Sequence, residues 1–536
     1  MSTSIQGTQP SALVRDVRAG FLVFLIALPL CLGIALASGF PPVAGVLTAI
    51  IGGCVSAWLG SARLTIKGPA AGLIVIAIGA VTELGQGDME LGYHRALAVG
   101  VVAALVQLVF ASFRVATLGI TMSRSVVHGM LAAIGVIIMA KQAHVLMGVK
   151  PEGGEIVELI AELPRSLMHA NPEILLVGVL SLLILVLWPR LRFGWAKVVP
   201  APLVVLAVAI PLSAVFHLGA AHVYFFGGHE YQVGPHYLVQ LPGNLLSSIA
   251  FPDFSVVFSP VSLKYIVMFA LVGTIESTLS VVAVDAIDPE KRQADLNRDL
   301  RAVAVGNLLA ASIGGLPMIS EIVRSKANVD AGATSARANF VHGLCLLVFV
   351  ALAPGLLGLI PLAALGAMLV YTGSRLASPN ELVHMRHIGN DQLALFLTTM
   401  IVTLMTDLLI GVACGLVLKV ILHLLRGATP AKLFGSRVEV IEEGTAARLR
   451  VHGVAAFPCV LALRRALLTV PADTPEVIID LADVPLVDHT FLNGVHAATI
   501  DRPQTQVTIV GHEELRAASP HPHAARWGRR AAGGGA

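Results

Sequence analysis

The chain has 536 residues, 56% of them hydrophobic and 13% charged, and a net charge of +3 at neutral pH. Soluble domains carry about 25% charged residues, so most of this chain belongs in lipid. The small net charge gives no case for a nucleic-acid partner, and five single cysteines (Cys31, Cys54, Cys345, Cys414, Cys459) form neither a metal-ligand spacing nor a disulfide framework.

Residues 1–16 read as a polar cytoplasmic tail. The apolar run that follows is long and continues into further spans, which sets it apart from a cleaved signal peptide. Apolar segments are expected at about 17–38, 43–60, 68–82, 93–112, 121–142, 172–189 and 199–217. Seven more follow at about 262–286, 297–313, 318–330, 336–356, 359–376, 391–407 and 409–425. The stretch 148–171, with Glu152, Glu155, Glu158 and Glu162, reads as external, and so does a Gly-, Pro-, His- and Tyr-rich loop at 218–258. The result is an all-α polytopic membrane protein of fourteen segments with a transport domain at 17–426. With the N-terminus inside, inner loops hold about sixteen Lys and Arg, among them Lys67, Arg192, Lys197 and Arg324, against about five outside. That bias places both termini in the cytoplasm.

Two segments are short and broken. Gly68-Pro69-Ala70-Ala71-Gly72 opens the third, and Gly314-Gly315-Leu316-Pro317 precedes the tenth. A membrane helix needs about 20 residues, so neither spans as a plain helix. Broken helices at corresponding positions of two seven-segment halves point to an inverted-repeat transporter and to its binding site. The positive N-terminal ends of half-helices favour an anion there.

Beyond about residue 430 the pattern changes. Arg437–Val451 alternates as strands do, Pro458–Leu468 reads as an amphipathic helix, and Val477–Leu481 as a buried strand. Asp488-His489-Thr490-Phe491 opens a helix and Gln506–Gly511 is a last strand, giving a small α/β domain over 436–516. The Ala-, Gly-, His- and Arg-rich tail 517–536 is expected to be disordered.

Ser38–Pro42, Gly68–Ala71, Gly314–Ser325 and the C-terminal domain occur in an order that resembles the SulP family, the sulfate-permease group of anion transporters. The C-terminal part is similar to a STAS domain, although Asp488-His489-Thr490-Phe491 lacks that domain's usual glycine. The resemblance implies a 7+7 inverted repeat split into core and gate. It also implies a substrate site between the third and tenth segments, and elevator-like alternating access by a homodimer in the inner or plasma membrane.

By that resemblance Gly68, Ala70, Ala71 and Gly72 form one half of the substrate site, and Ser320, Glu321, Ile322 and Arg324 the other. Glu321 departs from the small residues usual there. An ionised carboxylate beside an anion must be protonated, paired with Arg324, or bound to a cation, and the i to i+3 spacing allows the pairing. Glu276 lies mid-way along the eighth segment with Ser280 on its face, and a buried carboxylate in a span is functional by default. Oxygen ligands suit Na⁺ or a shared proton. The resemblance carries a cation-coupling site to Glu276 and Ser280, with Ser320 and Ile322. Thr490 matches a hydroxyl phosphorylated in related regulators. Leu30 stands where relatives have a polar lining residue, which favours a small monovalent anion: bicarbonate first, sulfate second. The expected function is Na⁺- or H⁺-coupled symport, with cation-independent exchange, an anion channel or a STAS-mediated scaffold as alternatives. No cofactor beyond a coupling ion, no resident metal and no nucleophile–base set is expected, so the chain does not read as an enzyme.

Overall fold

The computed structural model describes residues 11–119, 122–153, 155–191, 194, 199–240, 246–443, 446–471, 474–501 and 505–529. The first ten residues of the expected N-terminal tail, Arg192 and Lys197, and the last seven residues of the expected disordered tail lie outside the described residues. The chain divides into two compact units, Met1–Ala116 with Ile134–Arg375, and Thr117–Ala133 with Leu376–Ala536.

The first unit begins with α1 (Ala12–Ala37), capped by Ser11, and α2 (Pro42–Ile51), extended by further turns to Leu59. A strand, β1 (Ile66–Pro69), leads through a 3₁₀ turn at Ala71–Leu73 into α3 (Ile74–Gly85). Then come α4 (Met89–Ser112), α5 (Arg124–Met147), whose residues up to Ala133 are assigned to the second unit, α6 (Pro172–Leu187) and α7 (Ala201–Val215). A hairpin of β2 (His222–Phe226) and β3 (His229–Val233) separates these from α8 (Pro260–Ile287) and α9 (Leu296–Ser312). A second short strand, β4 (Met318–Glu321), runs directly into α10 (Ile322–Asp330), and α11 (Arg337–Leu352) and α12 (Leu362–Leu376) follow. Among the described residues seven helices are long and apolar enough to cross a membrane. The third and tenth segments fall short because each spends its first residues as strand.

Helix packing sets the surroundings of those strands. α1 lies against α2 and α11, α4 packs on α3, α8 and α9, and α8 touches both α3 and β4. A large apolar core joins buried residues of α1, α2, α11 and α12, including Leu32, Val46, Leu346 and Ala364.

The loop read from composition as external contains the β2–β3 hairpin, paired from His222↔Val233 to Phe226↔His229. Its turn is Gly227-Gly228 with φ of 58° and 83°, the left-handed pair that a two-residue hairpin requires.

The second unit continues through α13 (Asn390–Met405) and α14 (Leu408–Leu425) into the α/β domain. There β5 (Arg437–Glu443), β6 (Ala446–His452), α15 (Cys459–Thr469) and β7 (Glu476–Asp480) precede β8 (Leu486–Val487), α16 (His489–Asp501) and β9 (Gln506–Val510). The sheet order is β5-β6-β7-β9, antiparallel at its first pair and parallel at the other two. Alternation in β6 buries Ala447, Leu449 and Val451 against Leu463 of α15 and Phe491 of α16.

Two more strands, β10 (Leu515–Ala517) and β11 (Arg526–Arg529), reach into the stretch that composition assigns to a disordered tail. β11 pairs with β8 and β10, and the guanidinium of Arg426 sits 4.0 Å over the Trp527 ring. One aromatic anchor holds what the surrounding Ala, Gly and His would leave loose.

Asp488 caps α16, its Oδ1 accepting from the Phe491 amide at 2.6 Å while Oδ2 takes the Phe457 amide at 3.2 Å. Lys419 of α14 lies 3.1 Å from the same Oδ2 and His423 3.4 Å. Thr490 is buried and its hydroxyl accepts from Lys419 Nζ at 2.7 Å. Burial alone would push the Asp488 carboxyl up, but Lys419, His423 and the amide donors hold it well below the usual carboxylate range. A depressed folded value means stability present above the unfolded value and lost as pH falls. Removing one member of a buried pair costs about 3–5 kcal/mol. Asp488→Ala is expected to lower the unfolding midpoint of the detergent-solubilised protein clearly at pH 7, and the difference should shrink as pH drops below about 4. Equal melting of the two proteins at pH 7 would contradict the assignment.

Candidate anion site

Two broken segments build the site. Gly314, with φ of 100°, turns the chain after α9, and Tyr93 Oη donates to its carbonyl at 2.8 Å. The carbonyl of Leu316 accepts from Thr48 Oγ1 at 3.0 Å. Pro317 then blocks helix, and β4 pairs antiparallel with β1: Ile66↔Glu321, Lys67↔Ser320, Gly68↔Ile319 and Pro69↔Met318. An unpaired peptide group in a non-aqueous interior costs several kcal/mol. The two irregular stretches satisfy each other.

Because the strands are antiparallel, β1 leads toward α3 at one end of the ladder and β4 runs into α10 at the other, and the ladder between them is roughly 10 Å long at ~3.4 Å per residue. The N-terminal end of each helix carries about half a positive charge.

Side chains crowd the same place. Glu276 on α8 is 7% exposed, and its carboxylate lies so close over Gly72 that a Cβ there would collide with it. Its Oε1 has no hydrogen-bond partner. Arg324 is 1% exposed and its Nη1 stands 2.7 Å from where a Cβ on Gly68 would be. Nε and Nη2 of Arg324 lack hydrogen-bond partners, while Nη1 donates to Cys31 Sγ at 3.5 Å. A side chain at either glycine would force one of these charged groups to move.

The sequence-predicted residues are brought together unevenly. Gly68, Ala70, Gly72, Ser320, Arg324 and Glu276 are buried around the ladder, and Ala71 and Glu321 are half-buried beside it. Glu321 Oε2 lies 3.8 Å from Arg324 Nε, an ion pair without a hydrogen bond, and its Oε1 is unpartnered. The pairing expected from the i to i+3 spacing is therefore loose. Ile322 is 47% exposed. Ser280 is half-buried, and it is Ser277 that reaches β4, its Oγ accepting from the Ser320 amide at 3.2 Å. The Ser320 hydroxyl turns the other way and donates to Asp299 at 3.0 Å.

Three readings change. Lys67, expected in an inner loop, is 1% exposed and ion-paired to Asp299 at 3.0 Å. Arg324, from the same inner-loop count, is buried as well, because each has a carboxylate within ion-pair reach. Leu30 packs with the large apolar core, and its neighbour Cys31 is the residue of that turn that meets Arg324. One position along a helix rotates a side chain by about 100°, which single-sequence reading cannot resolve.

Asn307 and Gln107 were missed. Asn307 Oδ1 accepts from the Met318 amide at 2.6 Å, and its Nδ2 donates to Gln107 Oε1 at 2.9 Å and to the Met318 carbonyl at 3.1 Å. Amides in the apolar α4 and α9 were the available signal, since buried polar groups require partners.

A model of the sulfate permease family matches residues 13–401. The chain belongs to that family. It is an anion transporter, and the family consists of membrane transporters rather than enzymes. The chain is 24% identical over 471 residues to the putative sulfate transporter YvdB of Bacillus subtilis, covering 87% of this chain and 84% of that one. It is 24% identical over 407 residues to the bicarbonate transporter BicA of Picosynechococcus, covering 75% and 68%. The transmembrane domain of a cyanobacterial BicA superposes with a TM-score of 0.62 at 22% identity, over 76% of this chain and 97% of that one. SLC26A9 superposes with a TM-score of 0.67 at 15% identity, over 93% and 84%. These likenesses establish a polytopic SLC26-like fold.

Adding a methyl group at Gly72 sets it against the Glu276 carboxylate, and overpacking of a tight site costs about 1–3 kcal/mol. Gly72→Ala is expected to cut initial uptake about tenfold or more in reconstituted vesicles, with unchanged elution in gel filtration. Uptake at the wild-type rate would show that the close approach is idle.

Proposed function

We propose that this sulfate permease family member is a secondary active transporter of a small inorganic anion, bicarbonate first and sulfate second, driven by symport with Na⁺ or H⁺. The observation that carries the reading is the unpartnered Glu276 carboxylate lying over Gly72 at the positive end of α3, beside a ladder whose second strand runs into α10. An oxyanion is held by the two helix ends, the small residues Ala70 and Ala71, and Arg324. Na⁺ or a proton neutralises Glu276, and the family resemblance assigns Ser280, Ser320 and Ile322 to the same cation site. The two charges thus enter as a nearly neutral load.

The finer architecture belongs to the same proposal. Fourteen segments form a 7+7 inverted repeat, in which the segments around β1 and β4 make a core that slides against a gate joined in a homodimer. Both termini lie on the cytoplasmic side of the inner or plasma membrane. BicA, a relative whose name gives bicarbonate as its cargo, and YvdB, whose name gives sulfate, supply the two candidate anions. A cation-independent exchanger is the second reading, favoured by the buried Arg324, which already supplies a fixed positive charge.

One set of assays separates them: uptake of labelled bicarbonate and labelled sulfate into proteoliposomes, with Na⁺ and pH gradients imposed one at a time. Symport predicts uptake that rises with one inward gradient and loses that dependence in Glu276→Gln. Uptake that follows only the opposing anion gradient, and is unchanged by Glu276→Gln, would replace symport by exchange.

A further inference from the structure

We infer that Asp299 of α9, together with Lys67, is a positioning residue for transport: the pair clamps the crossing of the two broken segments from behind and so sets the geometry of the anion site. This rests on the transport reading above. Lys67 and Ser320 are direct partners across the β1–β4 ladder, so their side chains stand on the same face. Both converge on one carboxylate. Lys67 Nζ is 3.0 Å from Asp299 Oδ1, and the Ser320 hydroxyl donates to Oδ2 at 3.0 Å. Oδ1 also accepts from the Ala62 amide at 3.2 Å, and Lys67 Nζ donates to Thr65 Oγ1 at 2.9 Å. Lys67 and Asp299 are each 1% exposed, and both Asp299 oxygens are engaged.

The opposite face of the ladder carries Gly68, under the Arg324 guanidinium, and Glu321, paired loosely with it. The four-residue pairing thus has a clamped back and a charged front with only a loose ion pair. A two-stranded ladder this short is marginal without support. Lys67 is one residue before Gly68 and Ser320 one residue before Glu321, so a slip at the back shifts the front by the same amount. Among the described residues, the Asp299 carboxylate bonds to Lys67, Ala62 and Ser320 and to neither Glu276 nor Arg324. Its action on the anion is therefore through the strands.

The test compares wild type with Asp299→Asn, Ser320→Ala and the double variant Lys67→Met/Asp299→Asn. The double variant leaves no buried unpaired charge and guards against simple misfolding of the single one. Labelled bicarbonate and sulfate uptake gives KM and maximal rate. Amide hydrogen exchange over residues 66–69 and 318–321 reports the ladder without any substrate. The expected result is a double variant that elutes as wild type, exchanges at least tenfold faster in those residues, and has a KM raised tenfold or more. Ser320→Ala, which keeps the ion pair, should raise KM only a few-fold. Unchanged KM overturns the inference even if exchange quickens, since the pair would then be structural only. Raised KM with unchanged exchange overturns it as well, because the effect would not pass through the ladder. Absence of wild-type uptake of either anion would sink the transport reading instead, and exchange alone would then decide whether the pair holds the strands.

Discussion

Antiparallel pairing of β1 with β4 is the constraint on which the rest of the first unit depends. Two stretches of non-helical backbone lie in an apolar body where water cannot satisfy them. Their amides and carbonyls are met by each other, and the stretches flanking the ladder by side chains brought from elsewhere: Thr48 on Leu316, Asn307 on Met318, Ser325 on the Ile66 amide, and Asn328 on the Leu64 carbonyl. Thr48 and Asn307 lie among apolar residues of α2 and α9, and Ser325 and Asn328 in the short polar helix α10. Each would be a liability without the irregular backbone it serves.

Charge follows the same logic. Glu276, Glu321 and Asp299 stand around the ladder against Lys67 and Arg324. Asp299 and Lys67 cancel in a close, hydrogen-bonded pair. Arg324 is left to be shared between Glu321, at 3.8 Å, and whatever anion arrives. Glu276 then has no fixed partner of opposite sign among the described residues. In the proposed transport reading an anion bound at the helix ends would add a further negative charge beside it, and a mobile cation or proton would balance that sum. This arithmetic, rather than the identity of the relatives, is the physical case for proposing coupling.

Much of this was legible in the sequence, and the reasons for the exceptions are specific. The positions of the apolar segments followed from hydropathy, and the broken third and tenth segments from Gly68-Pro69 and Gly314-Pro317. The strands within them did not, because four residues of β-structure carry no periodicity to detect. Side-chain direction was the second loss. Leu30 and Cys31 exchange roles by one helical step, as do Ser280 and Ser277 by just under one turn. The third was the fate of cations. A count of Lys and Arg by loop treats Lys67 as a topology marker, whereas its carboxylate partner lies far along the chain and no local pattern announces it.

The same arrangement occurs in the second unit, and the parallel bears on what buried ion pairs are for. Lys419 lies in an apolar helix, as Lys67 lies in the buried strand β1, and each finds one carboxylate that also accepts from backbone amides. Desolvating two charges consumes most of what their attraction returns, so neither pair is a strong source of net stability compared with an apolar substitute. What each pair does supply is uniqueness. Only one register of β1 against β4 brings Lys67 and Ser320 together onto Asp299, and only one placement of the α16 N-terminus against α14 brings Asp488 to Lys419. An apolar pair would hold its partner less selectively. A buried charge would not tolerate a slip, because the slip leaves it alone.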